Sequence, residues 1–203
     1  MSRASIVVIG CLMLSGVVGC ERMQMNMHRR EPMSMNEMKR PAPPVQLRQL
    51  DPFIGSWEGT AEMVMPPGSP AATQPAQTFK GSSTTEWTMD GMAMKTSGWH
   101  EMPDGQRMNM IEYVTWDPRA EKFKSFYVSD WGETGTGWMW AEPNGQRFHW
   151  TGKGSDARGQ TSSMSGTMTI IDKDSMEWNM VEEGPMGPMR LRGTSRRTAN
   201  PAK

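Results

Sequence analysis

Thiols are almost missing from this 203-residue chain: Cys11 and Cys20 are its two cysteines, and none follows. Everything after position 20 is therefore without a disulfide staple or a thiol nucleophile. Histidine (3) and tyrosine (2) are scarce as well, leaving few side chains that titrate near neutrality. The zero net charge is unevenly spread. Residues 47–189 hold 11 Lys+Arg against 19 Asp+Glu, while Arg190, Arg192, Arg196, Arg197 and Lys203 close the chain with no acid among them. An acidic body is the opposite of the basic face that phosphate backbones demand, so nucleic acid is not an expected partner. No nucleophile–base–orienter set, His/Asp metal spacing or Gly-rich phosphate loop occurs, which argues against an enzyme and against a resident cofactor.

The first twenty residues read as a targeting segment. Arg3 precedes an apolar run from Ile6 to Val18, too short to span a bilayer comfortably, and Val17-Val18-Gly19-Cys20 closes it with small residues. Those four residues resemble the lipobox of bacterial lipoproteins, which implies cleavage before Cys20 and lipid on its sulfur. The expectation is an exported protein held to a membrane by that lipid. Glu21, where a retention signal resembles aspartate, favours the periplasmic face of the outer membrane over the inner membrane. Residues 20–46, with Pro41, Pro43 and Pro44 at the end and no apolar period, are expected to be a disordered tether. Within it, Met23, Met25, Met27 and His28 form a candidate Cu(I) ligand set, because thioether and imidazole are soft donors. Free use of methionine throughout the chain explains the same cluster as composition alone.

From Leu47 the pattern changes to alternation broken by turn dipeptides. Asp90-Gly91, Asp104-Gly105 and Asn144-Gly145 tolerate the positive φ of tight hairpins, and Asp117-Pro118 and Asp172-Lys173-Asp174 are further turns. Between them lie about ten short strands: 54–65, 77–89, 92–102, 107–117, 122–131, 134–142, 146–154, 160–171, 175–182 and 187–194. Ten strands with one apolar face close most economically on themselves. The predicted fold is all-β, an antiparallel up-and-down barrel over 47–194, with Pro66–Pro75 as a long loop at one rim and 195–203 as a basic disordered tail.

Leu50-Asp51-Pro52-Phe53-Ile54-Gly55-Ser56-Trp57-Glu58-Gly59 resembles the opening of lipocalin-like (calycin) barrels, whose first strand carries Gly-x-Trp. Trp87-Thr88-Met89-Asp90-Gly91, Tyr113-Val114-Thr115-Trp116-Asp117 and Asp130-Trp131-Gly132 add to a resemblance to a bacterial lipocalin-like domain family of unknown function, common among secreted proteins and lipoproteins. The resemblance implies that Gly55 and Trp57 are structural, with Trp57 under an arginine of the last strand, Arg190 or Arg192. It also implies kinship with haem-binding barrels, but no histidine after His149 could ligate iron.

The chain has 23 Met and 9 Trp, and the alternation puts most on the inner face. Methionine moulds to irregular apolar shapes, and small barrels either fill with side chains or hold one small guest. The expected lining is Trp87, Met94, Met110, Trp116, Trp140 and Trp150, with His100 and Glu112 as inward ionisable groups. The function expected is binding of a small hydrophobic or amphipathic molecule. Two alternatives stay open: a non-catalytic envelope scaffold with a filled barrel and unknown protein partners, and Cu(I) buffering by the tether. Radiolabelled fatty acid should enter the wild-type chain and not Cys20→Ser; equal labelling of both would refute the anchor.

Overall fold

A computed structural model describes residues 40–64, 76–102, 104–184 and 187–198. The targeting segment, the methionines at 23, 25 and 27 with His28, the Pro66–Pro75 loop and residues 199–203 lie outside the described residues. Ten strands follow in order: β1 (Gly55–Val64), β2 (Gln77–Thr88), β3 (Ala93–Glu101), β4 (Arg107–Asp117), β5 (Lys122–Ser129), β6 (Thr134–Ala141), β7 (Arg147–Ser155), β8 (Thr161–Asp172), β9 (Ser175–Gly184) and β10 (Gly187–Arg197). Each pairs antiparallel with the next and β10 pairs with β1, so the meander closes into a barrel. The all-β fold expected from the alternation is the fold observed.

Turn chemistry sets most strand ends. At Asp104, Asn144, Asp156 and Asp172 a side-chain oxygen accepts the N–H two residues on, at 2.8–3.0 Å, the short-range bond that favours Asn and Asp in turns. Asp117 does the same for Arg119 N–H, and this bond, with a second from Ala120, holds its carboxyl below the usual range. Gly105 and Gly145 take the left-handed φ of 80° and 68° that these turns need.

One end of the barrel, here the lower, is sealed by a 3₁₀ segment, Val45–Phe53. Its apolar residues fall every third position, the period at which a 3₁₀ helix stacks side chains on one face. Leu47, Leu50 and Phe53 are accordingly buried, and the Phe53 ring lies 4.8 Å edge-on from Phe148. They meet Trp57, Met94, Val114, Phe123 and Met176, all buried, with Trp87, Trp116, Met139 and Met168 packed around them. This segment starts two residues before the expected domain boundary at 47.

Trp57 anchors the seal, but its arginine is neither Arg190 nor Arg192. Inward positions of β10 are odd-numbered, since Gly193 pairs with Trp178 and Arg197 with Trp57. Arg190 and Arg192 therefore face outward, where Arg192 pairs with Glu62 at 2.6 Å. Arg197 is the residue over Trp57, its guanidinium carbon 4.3 Å from the ring centroid. Its nitrogens donate to the Ile54 carbonyl, to Pro52 O at 2.9 Å and to Lys173 O at 3.0 Å, while Trp57 Nε1 donates to Phe53 O at 2.9 Å. These bonds carry β10 beyond residue 194, where the tail was expected to begin, as far as Arg197, and Thr198 N–H continues the ladder to Ser56 O.

Trp57→Ala should cost about 3–5 kcal/mol, the range for truncating a large core aromatic. Arg197→Ala should also destabilise clearly, because it strips three carbonyls of their donor, whereas Arg190→Ala should leave stability nearly unchanged. Urea unfolding of the three variants checks the order; equal effects of Arg190 and Arg197 would contradict the assignment.

Candidate functional site

Register fixes which side chains enter the barrel. Starting from Trp57 and following cross-strand partners, the inward set is odd in β1 and β2, even in β3 and β4, odd in β5 and β6, even in β7 to β9 and odd in β10. Large rings inside are housed by glycines on the neighbouring strand. Tyr127 pairs with Gly135, Trp150 with Gly166 and Trp178 with Gly193. A Cβ on Gly166 or Gly193 would meet the facing indole at 2.6 or 2.5 Å, so each ring lies flat over the bare backbone beside it.

The two halves of the interior differ. Near the seal the inward side chains Met94, Val114, Phe123, Phe148 and Met176 are buried, between 0% and 7% exposed. In the upper half Met63, Met110, Trp150, Met164, Met180, Met189 and Leu191 also point inward, yet each stays half-buried. Phe79, Met108 and Ser129 are buried there, on the β2–β5 side. Inward side chains of a closed barrel can keep accessible surface only where the space between them is not filled. The upper half is thus a chamber lined by thioethers and indoles.

Its polar groups are acidic. Glu112 points inward from mid-barrel and burial pushes its carboxyl up, partly offset by a hydrogen bond from Ser125. Burial also raises the Tyr127 hydroxyl to about 12, and the carboxylates of Glu133, Glu182 and Glu112 add to it. Glu133 itself is raised by burial and then by Glu182 and Asp156. Tyr127 and these carboxyls therefore share one region of the upper chamber. His100 is lowered by burial alone. One inward rung, Gly98 with Met110, separates it from the rung of Thr96 with Glu112.

Of the eight expected lining residues, Met110, Trp150, His100 and Glu112 face the upper chamber. Trp87, Met94 and Trp116 point inward but belong to the seal: Trp87 Nε1 donates to Asp51 Oδ1 at 3.0 Å, and Trp116 packs edge-on to Phe123. Trp140 is a correction. Met139 and Ala141 are the inward residues at that end of β6, so Trp138 and Trp140 face outward; Trp140 stacks on His149, with Lys122 Nζ 4.6 Å from its ring. Met89 sits in the turn after β2 and is exposed. Tyr127, Ser125, Glu133 and Glu182 were missed. Lys122 and Lys124 carried the signal for β5, since outward lysines at even positions put Phe123, Ser125 and Tyr127 inside.

A closed ten-stranded antiparallel barrel, sealed at one end and lined with methionine at the other, is the class that fold and site define. Over residues 43–190 the chain matches the family described as protein of unknown function (DUF1579), and it belongs to that family. Among solved structures it is similar to Rv2717c from M. tuberculosis, with TM-score 0.56 and 14% identity over 78% of this chain and 100% of that one. That likeness concerns the fold. Weaker similarities are to the S-type phycobiliprotein lyase CPES from Guillardia theta (TM-score 0.49, 9% identity, 78% of this chain, 100% of that) and to EF1p2_mFAP2b bound to DFHBI (0.44, 12%, 75%, 99%). No curated protein matches the chain.

The raised Glu112 carboxyl gives a pH test. An unfolded glutamate titrates near 4.5, so as pH rises the unfolded chain loses this proton before the folded one. The stability tied to the protonated group is full below that value and is lost as pH climbs through the folded value. Glu112→Gln cannot ionise and should lose less stability than wild type as pH rises above 4.5, the unfolded value. Denaturant melts across that range decide it; parallel curves would mean that Glu112 is solvated.

Proposed function

We propose that this protein is a lipid-anchored extracytoplasmic carrier whose upper chamber holds one small amphipathic molecule. The observation that carries the reading is the half-exposed state of the inward Met110, Met164, Met180 and Trp150 in a closed barrel. Apolar lining with a few convergent polar groups is the usual composition of a small-molecule pocket. The anchor rests on the lipobox-like Val17-Val18-Gly19-Cys20, and it would keep the chamber near a source of apolar guests.

Charge narrows the guest. Glu112 stands opposite Tyr127 across the β4–β5 ladder, and Glu133 and Glu182 also act on that hydroxyl, so an anionic guest would meet like charge with little water to screen it. A hydrogen-bond donor or a cation at the polar end is favoured; a carboxylate is disfavoured. Long-chain amines and alcohols should therefore bind better than fatty acids of equal length.

Such a guest should change indole emission and raise the unfolding temperature by mass action. Trp150→Phe should remove much of the emission change and keep the thermal shift. Failure of every amphiphile to move either signal would leave the filled-barrel scaffold as the better account. Equal binding of amine and fatty acid would remove only the assignment of the polar end.

A further inference from the structure

The outer wall is divided into two unlike faces. On β8, β9, β10, β1 and β2 the outward strand positions carry mainly serine, threonine and charges of both signs, with Ile171 and Val181 among them and no aromatic residue. All the outward strand aromatics, Trp99, Tyr113, Phe126, Trp138 and Trp140, lie on β3 to β6. At the centre Ile111 pairs with Val128 and Tyr113 with Phe126, a block of four apolar side chains each 36–47% exposed. Trp131, 38% exposed, stands at the tip of the β5–β6 turn above them. A contiguous exposed apolar patch of this kind marks an interaction surface.

Its frame is basic although the domain is acidic. Outward positions within β3 to β7 carry Lys95, Arg107, Lys122, Lys124, Arg147 and Lys153 against Glu101 and Asp117. The cations sit on the rings: Arg107 over Trp99 at 3.9 Å, Lys122 over Trp140 at 4.6 Å, and Lys124 beside both Phe126 and Trp138 at 5.3 and 5.4 Å. Next to Trp138 runs an open groove of about 420 Å3, walled by Thr136, Thr151, Ser163, Lys153 and, on its far side, Glu183. Indole, phenyl and phenol rings settle at the level of lipid headgroups, and lysine and arginine beside them pair with anionic phosphates. A protein partner of opposite charge would complement the cations but would not call for rings at Arg107, Lys122 and Lys124.

We propose that the β3–β7 wall docks on an anionic lipid surface, with Ile111, Phe126, Val128 and Trp131 entering the headgroup layer and Lys122, Lys124 and Lys153 on lipid phosphates. The contact is independent of the chamber and of its guest. It would lay the barrel on its side, with its axis near the membrane plane.

The test uses the full chain in every variant, so that the N-terminal segment contributes equally. Sedimentation is measured with phosphatidylcholine vesicles, with and without about 30% phosphatidylglycerol, since each basic residue near such a surface adds a comparable increment. Lys122→Glu with Lys124→Glu should weaken binding to the anionic vesicles about tenfold or more; Lys80→Glu with Arg190→Glu, an equal charge change on the opposite wall, should weaken it by less than about threefold. Lipids brominated in their acyl chains should quench wild-type emission more than that of Trp131→Phe. Lys122 and Lys124 are half-buried and the other positions exposed, and unchanged unfolding midpoints will show that the variants fold. Equal losses from both walls would reduce the effect to overall charge and overturn the proposal. Unchanged vesicle binding with an altered oligomeric state in Phe126→Ser would overturn it in favour of a second copy of the chain on this face.

Discussion

The stack of Arg197 on Trp57 is the contact on which the remainder of the barrel depends. It joins the first strand to the last, which is the closure itself, and the same guanidinium reaches the carbonyls of Pro52 and Ile54. The 3₁₀ segment is thereby held across the lower end, where Leu47, Leu50 and Phe53 complete a core that the strands alone would leave open. Closure, seal and core are one arrangement. Because an arginine plane lies on an indole face and spends its donors on backbone oxygens, the charge is buried only in part and is satisfied where it is buried.

With one end sealed, the interior is graded from dry to open. Packing is dense where the 3₁₀ segment fills the axis and thins towards the opposite rim, where nothing from the termini enters among the described residues. The acidic groups lie in the thin part. This follows from cost: a carboxyl placed among Phe53, Phe123 and Phe148 would lack any partner, whereas Glu112 has Ser125 and the space of the chamber beside it.

Much of this was legible in the sequence, and the reasons differ by element. Strand limits followed from turn residues, because an Asx side chain bonds its own backbone wherever it occurs, and most of the ten expected spans agree with the observed ones to within two residues. Facing was harder. In β6 the first two inward residues are Gly135 and Gly137, which admit Tyr127 and let strands approach, so hydrophobicity pointed to Trp140, which is outside. A glycine that makes room for another strand's ring leaves no apolar mark of its own. Arg197 was missed for a related reason: five basic residues near the end look interchangeable until register separates inward from outward.

The chamber's thioethers have a consequence in redox terms. In a domain without cysteine, methionine is the readily oxidised side chain, and conversion to the sulfoxide replaces a soft apolar group by a strong polar acceptor. Met110, Met164 and Met180 keep accessible surface, while Met94 and Met176 are sealed in the lower core. Oxidant would therefore reach the two populations in order. The chamber would turn polar while the core that holds the barrel closed stayed reduced, so the character of the interior would change well before the fold was lost.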